Sequence, residues 1–348
     1  MAKITDPASF LSRREFLRYA LMAGPALSWG INFDQFEGDR RGRRRVTGTV
    51  RSIDHRAFPV GRLADLHAEF EAAKKDARFS RHRIFRTAIA PLGFALPDDF
   101  RNARSLIVVA TFARTSVVNF KLDGRDHPVT VPFQYYADEW TPDKIRQMIA
   151  RDIIKAPGRR IVDVSKRVPL KLLAARSGLG RYGRNNLVFV EGMGSYNLLH
   201  AFLTDGDCPD NAGIDLNILD TCRHCHGCDR SCPTDCMTRG EMVIDAGRCL
   251  TLYNEAPGDF PNFILPSMHH ALMGCLMCQR RCPENEWIPE TTTAGSDVSE
   301  SETKNILRGK PEPALLESLR RRLGLFPAVS QDDFLPILKR NLGALIRS

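Results

Sequence analysis

The sequence predicts an α/β (α+β) chain in which an α/β domain precedes a cysteine-rich module and a short helical tail. Three observations predict it. Helical and strand patterns alternate up to about residue 205, eight cysteines fall in two runs between residues 222 and 282, and apolar residues recur at helical spacing beyond 312. A chain of 348 residues can hold two modest domains with cores of their own. Hydrophobic content of 43% and charged content of 26% are ordinary for a globular protein. No run of about 20 uninterrupted apolar residues exists, so no segment is expected to span a membrane by itself.

The pattern divides the chain into residues 1–30, 31–60, 61–205, 206–290 and 291–348. In the first segment, Ser12-Arg13-Arg14-Glu15-Phe16-Leu17-Arg18 resembles the twin-arginine export signal. A short apolar stretch from Tyr19 to Trp29 follows, interrupted by Pro25, and Ala26-Leu27-Ser28 is a small-x-small cleavage site. An amphipathic helix with two chance arginines is the competing account. The second segment is a basic arm carrying Arg40, Arg41, Arg43, Arg44 and Arg45, part of a net charge of +9. Such a run is read first as a solvated arm, with nucleic acid or anionic lipid as the alternative contact.

Arg62 to Arg78 reads as a helix with Leu63, Leu66 and Phe70 on one face. Ser105 to Phe112 is continuously apolar and β-branched, the pattern of a buried strand. Thr141-Pro142-Asp143 is a helix start, with a capping hydroxyl, proline in the first turn and an acid at the positive end of the dipole. That helix should reach about Lys155 and bury Ile145, Met148, Ile149 and Ile153. Arg160 to Val164 is a short strand, Pro169 to Arg176 a helix and Leu187 to Val190 a strand. Thr291 to Thr303 is a polar linker. The tail pattern centres on Leu315, Leu316 and Leu319, then on Phe334, Ile337 and Leu338.

The first cysteine run is Cys222-x₂-Cys225-x₂-Cys228-x₃-Cys232-Pro233. The second is Cys275-x₂-Cys278-x₃-Cys282-Pro283, with Cys249 upstream of it. This is the spacing of a bacterial ferredoxin with two 4Fe–4S clusters, in which the fourth cysteine of each run crosses to the other cluster. Cys222, Cys225, Cys228 and Cys282 would hold one cluster; Cys232, Cys249, Cys275 and Cys278 would hold the other. Zinc is the alternative, since paired C-x₂-C knuckles make tetrahedral sites, but a third cysteine and a following proline have no use there. Cys208 and Cys236 fit neither run and read as small buried hydrophobes. His224 and His226 are expected to tune or solvate a cluster rather than bind it.

Gly178-Leu-Gly180-Arg-Tyr-Gly183 spells G-x-G-x-x-G, yet a helix precedes it and a strand follows. A dinucleotide fingerprint needs the reverse order, so NAD is rejected and Gly178 is expected to cap the helix. The segment from Pro169 through Arg184-Asn185-Asn186, followed by the double-cluster cysteines, is similar to the epoxyqueuosine reductases and the related reductive dehalogenases. Leu96-Pro97 through Phe112 supports the likeness, which covers roughly residues 85–290. The resemblance implies that residues 61–205 bind cobalamin, a corrinoid reduced by electrons from the clusters. Gly178, Gly180 and Gly183 would lie against the corrin and Arg184 and Asn185 would bond its amides, with plain turn formation as the competing account of the glycines. It also implies a proton donor between a strand and the following helix, for which Asp138 is the first choice and Tyr136 the second.

Two departures bear on the substrate. Epoxyqueuosine reductases act on transfer RNA in the cytosol, and their longer members carry a helical repeat domain that this tail is too short to match. Exported dehalogenases are generally longer than this chain. The expected function is an exported, corrinoid-dependent iron–sulfur reductase of a small molecule. It would be served by an electron donor protein or a membrane redox partner, with peripheral membrane association and without nucleic acid. Two alternatives stand: a ferredoxin-like electron-transfer protein without corrinoid, and a cytoplasmic transfer-RNA epoxyqueuosine reductase if the export motif is accidental.

Overall fold

The computed structural model describes residues 51–75, 89–113, 115–132, 140–208, 216, 218–237, 244–286, 288, 291–293, 297–309, 312–322 and 331–347. The export motif, the basic arm, Tyr136 and Asp138 lie outside the described residues.

In chain order the strands and helices are β1 (Ile53–Pro59), α1 (Leu63–Lys74), β2 (Ser105–Phe112), β3 (Thr115–Leu122), β4 (Arg125–Val131), α2 (Pro142–Met148), β5 (Ile161–Asp163), α3 (Leu170–Arg176), β6 (Gly180–Tyr182), β7 (Val188–Val190), β8 (Asn197–Thr204), α4 (Gly227–Ser231), α5 (Leu250–Glu255), α6 (Met277–Arg280), β9 (Thr291–Thr293), α7 (Glu300–Arg308), α8 (Pro313–Arg322) and α9 (Gln331–Arg347). The principal sheet runs β1-β2-β8-β5 and is antiparallel at every pairing.

Strand β2 is buried along its whole length, as its uninterrupted apolar run requires. Alternate residues go to opposite faces. Leu106, Val108 and Ala110 join Leu63, Leu66, Phe70 and Leu173 on the side of α1 and α3. Ile107 and Val109 meet Ile145, Met148 and Ile149 on the side of α2. Burying each such Leu, Ile or Phe contributes about 1.5–3 kcal/mol, which makes this three-layer packing the chief support of the α/β domain. Thr141 caps α2 by accepting from the Lys144 N–H at 3.3 Å. Residues Ile149–Ile154 continue α2 as a π-helical turn, closed by Lys155 N–H donating to Ala150 O and stopped by Lys155 at φ 54°.

Two features depart from the sequence expectations. Residues 115–131 form a β-hairpin, β3–β4, whose turn residues Asp123 and Gly124 both have positive φ. The stretch expected to be a polar linker is partly built into the fold. Thr291–Thr293 add β9 in parallel to β3, and Ser299 and Glu302 cap α7 reciprocally. The hairpin supplies the floor of a second core, in which Val118, Phe120, Val129 and Val131 meet Leu272, Ile306, Leu319, Ile337, Leu338 and Leu342.

The tail helices dock onto the cysteine module. Asn341 donates its amide to Asn254 O at 2.7 Å and Leu272 O at 2.8 Å. Beside it, Arg340 donates to Tyr253 O at 2.6 Å and lies 4.0 Å over the Phe260 ring.

Candidate metal centre

The two cysteine runs build two similar units. In each, a C-x₂-C segment leads into a short helix, α4 or α6, and the last cysteine leaves in an extended conformation before proline. The units approach closely. Ser231 Oγ donates to Met277 O at 3.3 Å, and a Cβ placed on Gly227 would stand 2.8 Å from Arg281 O.

The thiols are electrostatic neighbours of one another within and between the two runs. Cys282 feels Cys222 and Cys225, and Cys228 feels Cys222. Cys275 feels Cys249 and Cys232, while Cys278 feels Cys275, Cys249 and Cys232. Cys278 also feels Cys228, so the groups adjoin. Burial pushes Cys228, Cys275 and Cys282 up to about 12, raises Cys222 and raises Cys278 well above the thiol range.

The donor set fits iron–sulfur cubes. Peptide N–H groups of Arg184, Gly227 and Cys236 point at Cys222, Cys225 and Cys232 sulfurs at 3.4, 3.4 and 3.3 Å, as anionic ligand sulfurs require. Among the described residues no three His, Cys, Asp or Glu side chains converge on one metal ion.

Cys236 is buried, at 2% exposed, but is more than a packing residue. Its sulfur lies 3.4 Å from Cys232 and hydrogen-bonds Cys249, lowering those thiols to about 5 and about 7. Cys208 sits apart against the principal sheet, its N–H on Ser105 Oγ. His224 and His226 are exposed, and His226 Nδ1 pairs with Asp229 at 2.7 Å.

The segment 169–186 lies against both cysteine groups. Gly178 caps α3 at φ 75°, as expected. A Cβ on Gly180 would meet Phe189 O and Val188 at 2.6 Å, and one on Gly183 would meet the Phe189 ring at 2.5 Å. Both glycines are thus required by the β6–β7 hairpin itself. Asn185 accepts from Leu187 N–H, and Arg184 donates to Cys222 O at 2.5 Å. Around this loop the contacts of Gly180, Gly183 and Asn185 are with the β6–β7 hairpin, while Arg184 reaches the first cysteine group.

The sequence reading missed Lys171. Only 8% exposed, it donates Nζ to Asn186 O at 2.9 Å and Oδ1 at 3.1 Å. Burial lowers it to about 7, against the pull of Cys249 and Cys278. A lysine at an apolar helix position was its one signal.

Comparison with known proteins agrees with this geometry. Residues 221–285 match a domain family described as a 4Fe-4S double cluster binding domain. The chain is 31% identical over 150 residues to the epoxyqueuosine reductase of Escherichia coli (strain K12), covering 43% of this chain and 38% of that protein. It is 33% identical over 155 residues to the epoxyqueuosine reductase of Leadbetterella byssophila, covering 43% and 49%. The chain therefore spans less than half the length of these relatives. Among solved structures, epoxyqueuosine reductase from Streptococcus thermophilus superposes with a TM-score of 0.56 at 19% identity, over 84% of this chain and 76% of that one. The Bacillus subtilis enzyme gives 0.54 at 18%, over 85% and 77%. The chain carries a double 4Fe–4S cluster domain on a mixed α/β fold shared with epoxyqueuosine reductases.

Proposed function

We propose that this chain is an iron–sulfur reductase of the epoxyqueuosine reductase kind. The observation that carries the reading is the convergence of eight cysteines in two adjoining groups beside the 169–186 segment. Bound 4Fe–4S clusters supply one-electron transfer. The chain's own part is to hold the cubes with eight thiolates, direct peptide N–H groups at their sulfurs and keep Lys171 buried against the second group.

The similarity to relatives named for epoxyqueuosine weighs toward a modified nucleoside on transfer RNA, against the expectation that nucleic acid is no partner. The resemblance also implies a corrinoid, which would take the clusters' electrons and supply the reducing chemistry when bound. Anaerobic reconstitution followed by iron and sulfide analysis tests the cluster reading, and content far below two 4Fe–4S clusters sinks it. Incubation with epoxyqueuosine-containing transfer RNA and a chemical reductant, with and without hydroxocobalamin, tests the substrate and the corrinoid separately.

The second reading is an exported reductase of a small molecule, favoured by Ser12 to Arg18. A reporter fused to residues 1–35 decides between them: twin-arginine export excludes action on transfer RNA in the cytoplasm. Rapid electron exchange with a redox partner, without turnover of either substrate class, would instead indicate a ferredoxin-like carrier.

A further inference from the structure

Arg184 is only 7% exposed, and it is joined to the first cysteine group twice. Its N–H points at Cys222 Sγ at 3.4 Å, and a terminal guanidinium nitrogen donates to Cys222 O at 2.5 Å. Its remaining chain nitrogen, Nε, is buried without a hydrogen-bond partner. Among the described residues its hydrogen bonds go to Cys222 and none goes to a carboxylate. A guanidinium keeps its proton in a protein, so the charge cannot be shed on burial. A buried charge is tolerated when a body of opposite charge stands against it. Cys222 already feels the Arg184 charge. The anion that such a placement anticipates is the cube held by Cys222, Cys225, Cys228 and Cys282.

We propose that Arg184 is a charge-compensating residue of the first 4Fe–4S cluster, anchored on Cys222 so that a buried positive charge stands beside the thiolates that would hold it. Reduction adds one negative charge to the cube. A fixed cation and an N–H donor stabilise that extra charge, so the residue raises the potential of this cluster and leaves the other nearly untouched. The role differs from the bond to a corrin amide that the resemblance implies for Arg184, and it rests on the double-cluster reading.

The test uses the full chain, reconstituted anaerobically, as wild type, Arg184→Gln and Arg184→Lys. Iron content is measured first, then both midpoints by EPR-monitored redox titration. Wild-type protein without the iron of two clusters sinks the underlying reading before any variant is compared. With clusters present, the expected result is a fall in one midpoint in Arg184→Gln, a smaller fall in Arg184→Lys, and full iron content in both. Unchanged midpoints in Arg184→Gln overturn the proposal. So do equal shifts of both clusters, or loss of iron from both variants, which would assign Arg184 to assembly.

Discussion

The first and second cysteine groups use the same ligand chemistry in different settings. Three ligands of the first group lie within one short stretch, and its neighbours Thr221, Arg223, His224, His226, Arg230 and Arg281 are exposed. The second group draws Cys232, Cys249, Cys275 and Cys278 from well-separated stretches, among buried Leu250, Gly274, Leu276 and Gln279. A guanidinium attends the first; a ninth thiol, Cys236, and a buried amine, Lys171, attend the second. The difference teaches that one group is nearly local in sequence, while the other depends on the tertiary fold.

The largest expected effect is loss of a cube. Cys249→Ala should remove about half the bound iron and destabilise the module, whereas Cys225→Ala should remove a similar share with a smaller fall in melting temperature. Iron analysis with circular-dichroism melts checks this, and full iron content in Cys249→Ala would break the grouping. Next, Asn341→Ala leaves the buried Asn254 and Leu272 carbonyls without their donor. It should cost about 3 kcal/mol in denaturant unfolding and release iron from the second group before the first. Gly227→Ala forces a Cβ against Arg281 O and should cost about 2 kcal/mol, with faster loss of the first cube in air.

The smallest effect sharpens the comparison from outside both groups. Burial lowers His200 on β8 to about 4, and its Nε2 has no partner among the described residues. Its folded value lies below the unfolded one, near 6.5, so the neutral ring stabilises the fold. That contribution is complete above pH 6.5, shrinks as pH falls toward 4 and levels off below. His200→Gln should flatten this acid limb in melting curves taken on cluster-free protein. An unchanged limb would place acid sensitivity elsewhere.

Much of this was legible where local chemistry decides. The apolar run of β2, the Thr141 cap, the Gly178 cap and the tail helices α8 and α9 follow from periodicity and capping. Cysteine spacing alone announced the double 4Fe–4S cluster domain. What escaped was of two kinds. Some signals were local but unused: Asp123-Gly124 is the residue pair a tight hairpin favours, and Ser299 with Glu302 is a capping box. Others exist only through packing. The glycines at 180 and 183 answer to Phe189, and Cys236 meets Cys249 only after the chain has folded back.

The parallel pairing of β9 with β3 has a mechanical consequence. The cysteine module leaves the α/β domain where Ile218 bridges Tyr182 and returns to it at Thr291–Thr293. It is thus fastened to the rest of the fold at both ends, like a handle. Two strand pairings at its ends, Tyr182–Ile218 and β3–β9, limit how far such a module can drift from the sheets that anchor it.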